Sequence, residues 1–329
     1  MKEFMLMGVE LIDLTPAELE ARRPAMAASY ARDVVQNFGV DPDRALEQSA
    51  HQIGAGLPDG LATEGQLLRK AVDGGDEVGF LWMSMPGTVY PDMAWLSEIE
   101  VADGLRGRGY GSQMINAAEA DLVARGVRRV GLHVFGNNIG ARRLYQRLGY
   151  RIMSQVRARP VVPPDLTGPG DGDDDLALVP MTQQTYEECV TDLATNDPFA
   201  LVRDPSATTE RALQTASRIA PAGVATEGAL LRTAHAGGRE VGWIWCSLPT
   251  PDRPTIGLVL HLEIDRRQRR RGLGRRVIAA TEAELARHGV PRIGLSIPGR
   301  TEALAFADSL DMSLASEQMI KDLPGPEHR

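Results

Sequence analysis

The chain has 329 residues and is acidic, because 44 aspartates and glutamates outnumber 36 lysines and arginines and give a net charge of −8. This balance argues against general nucleic-acid binding, which needs a basic surface. No apolar stretch approaches the ~20 residues that span a membrane, and the amino-terminal sequence lacks the apolar core of a signal peptide. The two cysteines and six histidines show neither metal-ligand spacing nor a disulfide framework. We therefore expect a cytoplasmic protein without a metal, a nucleic-acid partner or a membrane partner.

Hydrophobic periodicity predicts that two helices come first, over residues 16–35 and 43–53. A hairpin follows, in which residues 67–72 and 77–85 flank the turn sequence DGGD. The sequence AWLSEIEV (94–101) predicts the next strand, because apolar and polar residues alternate along much of it.

A glycine-rich stretch, LRGRGYGSQ (105–113), then leads into a predicted helix with apolar residues at helical spacing: Met114, Ile115, Ala118, Leu122 and Val123. Gly126 is placed to end this helix. Residues 128–135 predict another strand, and residues 138–148 predict a second helix that Gly149 ends. Strands and helices mixed in this order indicate an α/β (α+β) domain of about 150 residues.

The chain repeats itself once, at an offset of 163 residues: TEGQLLRKAVDGGDEVGFLWMSMP (63–86) matches TEGALLRTAHAGGREVGWIWCSLP (226–249) at 15 of 24 positions. A period this long indicates a duplicated domain, since solenoid repeats run to ~20–50 residues. The stretch 159–175 is rich in proline, glycine and aspartate and has little to bury. We expect one domain over 1–157, a linker over 158–175, a second domain over 176–323 and a tail over 324–329.

The glycine stretch is placed to bind a phosphate group. It lies between a predicted strand and a predicted helix, where backbone N–H groups are unpaired and the helix dipole is positive. Glycines let an anion approach the backbone and arginines add charge. The spacing matches neither the G-x-x-x-x-G-K-[ST] phosphate loop nor G-x-G-x-x-G.

The spacing Arg106-x-x-Gly109-x-Gly111, which recurs as Arg269-x-x-Gly272-x-Gly274, resembles the pyrophosphate loop of the GNAT N-acetyltransferase superfamily. NIGARRLY (138–145) and LGY (148–150) resemble that superfamily's later helix and its end. The resemblance covers most of the first copy. It implies two tandem GNAT-like domains, each a mixed, mostly antiparallel central sheet flanked by helices.

The resemblance implies acetyl-CoA as the acetyl donor and assigns coenzyme contacts in both copies. The strand end at Val101 would hold the pantetheine arm, and Asn138 would contact the coenzyme. Tyr145 would lie beside the thioester sulfur. The pyrophosphate contacts are Arg106, Gly107, Arg108, Gly109, Tyr110, Gly111 and Ser112, with Arg269, Gly272 and Gly274 as their counterparts in the second copy.

Acetyl transfer to an amine requires a base for the amine and an acid for the departing thiolate. Tyr145 is the candidate acid, because a phenol is protonated at neutral pH; the alternative is an ordinary core tyrosine. Glu98 and Glu100 share one face of a strand, and either is a candidate base, since like charges raise a carboxyl pKa. The alternative is a solvated strand face. His133 is a third candidate base or a packed histidine.

The second copy keeps the loop and loses the rest of the pattern. Ala307 or Asp308 stands in place of Tyr145, and His261 stands in place of Glu98, although Glu263 matches Glu100. The seven arginines of DRRQRRRGLGRR (265–276) align with the phosphate loop, which favours coenzyme phosphates or solvent over nucleic acid. We expect the first domain to be catalytic and the second to be degenerate. The organisation is similar to that of mycothiol synthase, in which the carboxyl-terminal copy is the active one.

The sequence thus predicts an acetyl-CoA-dependent N-acetyltransferase that acts on a small-molecule amine by direct attack on the thioester. Two alternatives remain open: a non-catalytic acyl-CoA-binding or sensing protein, and a protein (lysine or N-terminal) acetyltransferase. An internal duplication already supplies a pseudo-dimer, so either a monomer or a homodimer is consistent with the sequence. The acceptor itself cannot be identified from these residues.

Overall fold

The computed structural model of the chain describes residues 8–162, 176–196, 220–250, 255–299 and 302–325. The chain divides into two compact units, called unit 1 and unit 2 below. Unit 1 contains Met1–Asn37, Asp41–Ile152 and Glu317–Arg329, and unit 2 contains Phe38–Val40 and Met153–Ser316. No helix of the described residues is long and apolar enough to cross a membrane.

Unit 1 contains four helices and six strands among its described residues. The helices are α1 (Pro16–Phe38), α2 (Pro42–Gly56), α3 (Tyr110–Ala124) and α4 (Ile139–Arg147). The strands are β1 (Glu10–Asp13), β2 (Gln66–Asp73), β3 (Asp76–Ser84), β4 (Ala94–Val101), β5 (Arg129–Phe135) and the second half of β12 (Ser313–Asp322). The predicted helices and strands of the first copy are therefore present, while the short β1 has no clear signal in the sequence.

Local signals fix where the first two helices begin. At the start of α1, the Thr15 hydroxyl accepts from the Glu18 N–H while the Glu18 carboxylate accepts from the Thr15 N–H, at 3.3 and 2.7 Å. This reciprocal pair is a capping box. Asp41 caps α2 by accepting from the Asp43 and Arg44 amides, and Pro42 occupies the first helical position.

The strands of unit 1 are ordered β1-β2-β3-β4-β5-β12. The pairs β1–β2, β2–β3 and β3–β4 are antiparallel, and β4–β5 is parallel. One face carries an apolar core with residues of α3 such as Met114 and Leu122, and the other carries a core with residues of α1 and α2 such as Leu19 and Ile53. Each sheet face thus has its own helical layer.

Unit 2 repeats this arrangement. Its strands are ordered β6 (Arg151–Pro160), β11 (Arg292–Pro298), β10 (Ile256–Ile264), β9 (Arg239–Ser247), β8 (Ala229–Ala236) and β7 (Ala177–Pro180). Its described helices are α5 (Gln183–Asn196), α6 (Leu273–Arg287) and α7 (Ala303–Ser309). The pair β10–β11 is parallel, whereas β6–β11, β9–β10, β8–β9 and β7–β8 are antiparallel. The mixed, mostly antiparallel sheet expected from the sequence is confirmed.

Two strands are exchanged between the copies of the repeat. β6 follows the first copy in sequence but pairs antiparallel with β11 of unit 2, from Ser154 opposite Pro298 to Pro160 opposite Arg292. The half of β12 from Glu317 onward follows the second copy in sequence but belongs to unit 1. β6 also runs through residues 158–160, the first three of the predicted linker, and residues 163–175 of that linker lie outside the described part. The predicted domain ranges stay a prediction.

Gly79 allows β3 to approach β4 closely. A methyl group at Gly79 would clash with the carbonyl oxygen of Glu100 and lie 2.9 Å from the Met114 Sδ. Gly242, at the same place in the second copy, would clash in the same way with the carbonyl oxygen of Glu263. Any side chain here would therefore push away the end of β4 or its counterpart β10.

We expect Gly79→Ala to lower the free energy of unfolding by about 1–3 kcal/mol, the usual cost of overpacking. Gly54→Ala is the control, because Gly54 lies in α2 with no atom within 4 Å of an added methyl. It should leave stability unchanged or raise it by up to about 1 kcal/mol through helix propensity. Urea titration of both variants measures the difference; equal stabilities would refute the close approach.

Candidate active site

The central feature of the site is the place where β4 parts from β5. The two strands pair in parallel only from Ala94 opposite Val130 to Leu96 opposite Leu132. β4 continues beside β3 to Val101, and a register shift between Trp82 and Met83 leaves Ser97 as the extra residue of a bulge. Beyond Leu96, β4 has no pairing with β5 among the described residues, and the Val101 carbonyl oxygen accepts a long hydrogen bond of 3.4 Å from Arg106 Nε.

The loop after β4 carries amide groups that are free to bind an anion. Gly104, Gly107 and Gly109 have φ values of +79°, +78° and +91°, which only glycine adopts readily. The backbone N–H groups of residues 107–111 have no hydrogen-bond acceptor among the described residues. Because these amides lead into the first turn of α3, they form an anion-binding position at a helix N-terminus.

The third glycine of the motif has a different role. Gly111 has no positive φ, but a methyl group there would lie 3.1 Å from the Leu144 Cδ2 in α4. The loop spacing therefore combines backbone conformation at Gly107 and Gly109 with close packing of α3 on α4 at Gly111. Tyr110 fixes the loop further, because its hydroxyl donates to the Asp73 carboxylate at 3.0 Å.

The arginines of the loop remain accessible. Arg106 is 67% exposed and its nearest carboxylate, Asp103, is 96% exposed, at 3.4 Å. Arg106 Nε also donates to the Val101 carbonyl oxygen at 3.4 Å. Arg108 is exposed. An ion pair between two exposed side chains is weak, so both guanidinium groups are free to turn toward an anion.

Asn138 and Tyr145 are placed by α4. The Asn138 Oδ1 accepts from the Ala141 N–H at 3.1 Å and so caps the helix, which leaves the side-chain NH₂ as a donor. Tyr145 is 5% exposed and packs in the unit 1 core, with its ring 5.7 Å from that of Tyr150. Burial raises the pKa of Tyr145 to about 12, so its hydroxyl stays protonated at neutral pH.

Glu98 and Glu100 lie on the face of the sheet that α1 and α2 cover. Glu98 is opposite Trp82 and Glu100 is opposite Phe80, and cross-strand neighbours share a face. Trp82 and Phe80 both pack in the core below these helices. Burial raises the pKa of Glu98 to about 7; the charge of Glu100 adds to this rise, and the charge of Arg22 opposes it.

His133 lies in β5 just beyond the last residue that pairs with β4. Its ring meets Phe135 edge-on at 4.8 Å, and burial lowers its pKa to about 4. The imidazole is therefore neutral at pH 7. It is packed against an aromatic ring and also stands next to the opening between the strands, so both sequence interpretations remain.

A polar network below Glu98 has no signal in the sequence. The Gln66 Oε1 accepts from the Trp82 Nε1–H at 2.6 Å and from the Ser84 hydroxyl at 2.8 Å. The Ser84 and Ser97 hydroxyls are 3.1 Å apart. These contacts hold the bulge at Ser97, which sets the direction of Glu98. A register shift of this kind cannot be read from apolar and polar alternation, which is why these residues were missed.

Unit 2 keeps the loop conformation but changes the side chains. Gly272 has a φ of +77° and begins α6, and Arg270 has a φ of +63° at the position of Gly107. A methyl group at Gly274 would lie 3.4 Å from the Phe306 ring, as one at Gly111 would lie 3.1 Å from the Leu144 Cδ2. The Arg269 guanidinium forms an ion pair with Glu263. A positive φ at a non-glycine residue costs about 1 kcal/mol, so the packing of unit 2 holds this loop in place.

Tyr145 and Glu98 have no matching counterparts in unit 2, whereas Glu100 is matched by Glu263. The contacts of Gly111 with Leu144 and of Gly274 with Phe306 align α4 with α7 at an offset of 162, so Ala307 replaces Tyr145. Ala307 is fully buried. His261 replaces Glu98, contacts Trp243 and Trp245, and has a pKa lowered by burial to about 4.

The raised pKa of Glu98 predicts a pH-dependent stability. The folded state holds this proton more tightly than the unfolded state between about pH 4.5 and 7, so stability from this group is lost as pH rises through that window. Glu98→Gln should therefore raise Tm at pH 8 relative to the parent protein and have less effect at pH 4.5. Glu47→Gln, at an exposed position of α2, should shift Tm equally at both. A pH-independent shift for Glu98→Gln would contradict the raised pKa.

Residues 31–150 and residues 194–311 each match the acetyltransferase (GNAT) family. The Bacillus subtilis (strain 168) protein named uncharacterized N-acetyltransferase YycN is 29% identical over 152 residues, which are 45% of this chain and 97% of that protein. A second protein of that strain, named uncharacterized N-acetyltransferase YdgE, is 25% identical over 154 residues, 46% of this chain and 98% of that protein.

Two solved structures share the fold along nearly the whole chain. A GCN5-related N-acetyltransferase from Sphaerobacter thermophilus has a TM-score of 0.56 at 19% identity, with 96% of each chain covered. A tandem GNAT protein from the clavulanic acid biosynthesis pathway has a TM-score of 0.50 at 15% identity, with 97% of this chain and 100% of that chain covered. The resemblance found in the sequence is confirmed: the chain is a tandem, two-domain member of the GNAT family of N-acetyltransferases.

Proposed function

We propose that this protein is an acetyl-CoA-dependent N-acetyltransferase that acetylates a small-molecule amine, with its catalytic centre in unit 1. The family uses acetyl-CoA as the donor. The observation that carries the proposal is the parting of β4 from β5 beside a loop whose amides at residues 107–111 find no acceptor in the described part of the chain. An open strand edge and a free helix N-terminus fit the amide-containing arm and the pyrophosphate of a coenzyme.

Each coenzyme contact proposed for unit 1 uses a group that the fold leaves available. The amides of Gly107 to Gly111 and the Arg106 and Arg108 guanidinium groups bind the pyrophosphate, and Ser112 stands in the same first turn. Val101, at the open end of β4, offers backbone groups to the pantetheine arm. The Asn138 NH₂ group donates toward the coenzyme while its oxygen caps α4.

Glu98 is the proposed general base. A carboxyl group with a pKa of about 7 exchanges its proton near neutral pH, which is the condition for an effective base. It accepts a proton from the amine nitrogen as that nitrogen bonds to the thioester carbonyl carbon. Glu100 adds to the raised pKa of Glu98 through its charge and binds the ammonium form of the acceptor, which loses one proton to solvent before the neutral amine attacks. His133, neutral at pH 7, is the second candidate for the base.

Tyr145 is the proposed donor to the leaving sulfur. As the carbon–sulfur bond breaks, the hydroxyl hydrogen-bonds to the developing thiolate. A phenol with a pKa of about 12 is a weaker acid than a thiol of about 8.5. Complete proton transfer is therefore uphill, and Tyr145 acts chiefly by stabilising negative charge on sulfur through a hydrogen bond.

The burial of Glu98 favours a small acceptor over a protein. Glu98 is half-buried on the sheet face that α1 and α2 cover, and desolvation is the main cause of its raised pKa, which supports an acceptor site set partly into the protein. A lysine side chain on a protein surface would have to enter this site, whereas a small amine fills it directly. An acidic site also favours an acceptor that carries a positive charge.

Unit 2 is proposed to be non-catalytic. It lacks the phenol at Ala307 and has an uncharged imidazole at His261 in place of the carboxylate of Glu98. The loop of unit 2 keeps its geometry at Arg269, Gly272 and Gly274. Unit 2 could therefore bind the coenzyme without catalysing acetyl transfer. A cytoplasmic location, where acetyl-CoA is abundant, is part of the same proposal.

Gly109→Val and Gly272→Val form a matched pair that tests which unit is catalytic. Both glycines begin a helix with positive φ, and neither has an atom closer than 4.0 Å to an added methyl. Valine forces the loop out of this conformation in each case. Gly109→Val should abolish acetyl transfer and Gly272→Val should preserve it, measured as CoA thiol released with a panel of primary amines. The reverse result would move the catalytic centre to unit 2.

Titration calorimetry with acetyl-CoA, carried out on the parent protein and the same two variants, distinguishes a small-molecule acetyltransferase from an acyl-CoA-binding protein and from a protein acetyltransferase. Binding without thiol release for any amine or lysine peptide would favour an acyl-CoA-binding protein. Release with a lysine peptide alone would favour a protein acetyltransferase. No binding to the parent protein would overturn the proposal.

Substitutions of Glu98 and Tyr145 test the chemistry. Because Glu98 must be ionised, kcat/KM of the parent protein should rise with pH through about 7, and Glu98→Gln should lose this limb while keeping the rise due to the amine itself. Tyr145→Phe should lower kcat by about 10² without a comparable change in the acetyl-CoA KM. A Tyr145→Phe loss below threefold would exclude its role at sulfur.

A further inference from the structure

The helix that carries Asn138 and Tyr145 is held by a residue from the far end of the chain. In unit 1, Arg142 Nε donates to the Glu317 Oε2 at 2.9 Å and its Nη2 donates to the Oε1 at 3.2 Å. The Glu317 side chain is 0% exposed and that of Arg142 is 25% exposed. Such a two-point contact between guanidinium and carboxylate fixes orientation as well as distance.

The position of Arg142 links this ion pair to the proposed site. Its N–H donates to the Asn138 carbonyl oxygen at 3.1 Å and forms the first hydrogen bond of α4. Tyr145 follows three positions later, so the two side chains project from neighbouring places on the helix. A fixed guanidinium group therefore fixes the rotation of α4 about its axis, and with it the directions of the Asn138 amide and the Tyr145 hydroxyl.

The start of α4 is held on another side as well. Asn137 Nδ2 donates to the Asp33 carboxylate at 3.2 Å, and the Asn37 side chain both donates to Asn137 Oδ1 at 2.9 Å and accepts from the Asn137 N–H at 3.2 Å. These contacts connect the loop before α4 to α1. The helix is thus held just before its N-terminus by α1, through Asn137, and within its first turn by Glu317 of β12, through Arg142.

Comparison with unit 2 distinguishes the Arg142–Glu317 ion pair from the ion pairs that attach the exchanged strand in both units. Each unit contains an ion pair between its exchanged strand and the helix after the glycine loop: Lys321 with Glu119 in unit 1, and Arg159 with Glu282 in unit 2. These pairs occupy aligned positions and are common to both units. At the positions of Arg142 and Glu317, the second copy has Leu304 and Gln155. In unit 2, β6 and α7 are joined instead by one contact of 3.5 Å between Arg157 and Asp308, whose side chain is 64% exposed. The buried, two-point pair is therefore found in the unit that keeps the tyrosine, and a single exposed contact takes its place where the tyrosine is lost.

We propose that Glu317 is a positioning residue for acetyl transfer: through Arg142 it fixes α4, and so places Asn138 and Tyr145 for the coenzyme. This inference rests on the proposed function of unit 1. It also gives the second copy a role that is independent of coenzyme binding by its own loop. The second copy leads into β12 in sequence, and β12 supplies Glu317 to unit 1.

Glu317→Gln is the test variant, and Glu282→Gln is its matched control. Both replace a buried carboxylate that pairs with a partly exposed arginine, since the Glu282 side chain is 3% exposed and that of Arg159 is 22% exposed at 2.8 Å. Each substitution removes the charge of one buried ion pair, and the Tm of both variants is measured so that their kinetics are compared at a temperature where both are folded. Arg142→Lys serves as the second variant, because it keeps a cation beside Glu317 and loses only the two-point contact.

We expect Glu317→Gln to weaken acetyl-CoA binding and to lower kcat/KM by about 10-fold or more, the size of effect that misplacement of a reacting group produces. The KM for the amine should not change. Arg142→Lys should act in the same direction with a smaller effect, and Glu282→Gln should match the parent protein in both measurements. Equal kinetics for Glu317→Gln and Glu282→Gln would overturn the inference, because their loss would then be one of stability alone.

Hydrogen exchange without any ligand makes this test independent of the proposed function. The amides of residues 142–147 in α4 should exchange faster in Glu317→Gln than in the parent protein, and at the parent rate in Glu282→Gln. Unchanged exchange in α4 would refute the positioning role even if acetyl-CoA binds. Failure of the parent protein to bind acetyl-CoA would overturn the proposed function and leave the exchange result to be read by itself.

Discussion

The structure depends on the point at which two parallel strands separate. β4 must pair with β5 as far as Leu96 to complete the sheet, and must then leave it so that a ligand can reach the backbone. The bulge at Ser97 makes both possible, because the extra residue changes the direction of β4 while its pairing with β3 continues. The second copy has its register shift between Val259 and His261, at the aligned position. The duplication thus preserved the separation even where the side chains around it changed.

The glycine loop depends on the same separation, since its free amides stand where β4 ends. Arg270 shows that the surrounding fold, and not the presence of a glycine, determines the backbone conformation of the loop. An arginine there takes a φ of +63°, near the value of Gly107. The loop in unit 2 is therefore imposed by its surroundings, the end of β10 and the start of α6. Loss of the tyrosine and glutamate left this scaffold intact, because neither is needed to build it.

The sequence predicted the parts of the site that lie close together along the chain. The elements of the first copy, the loop and the alternation of Glu98 with Ile99 and of Glu100 with Val101 all follow from local spacing. The pKa of Glu98 does not, because it depends on helices that cover it from elsewhere in the sequence. The partner of Arg142 could not be found either, since it lies 175 residues away on a strand that local patterns assign to the other copy. Contacts of this kind depend on topology, which periodicity does not encode.

Strand exchange changes what a duplicated domain must preserve. If each copy had kept its own last strand, a degenerate second copy could drift without affecting the first. Here the sheet and core of unit 1 include Met319 and Leu323 from the end of the chain, together with the buried carboxylate of Glu317. The second copy must therefore still fold well enough to present β12 in register, whatever its own loop binds. Unit 2 keeps its loop glycines and its core but has lost the counterparts of Tyr145 and Glu98, which fits this constraint, because the exchange requires packing of unit 2 and not catalysis.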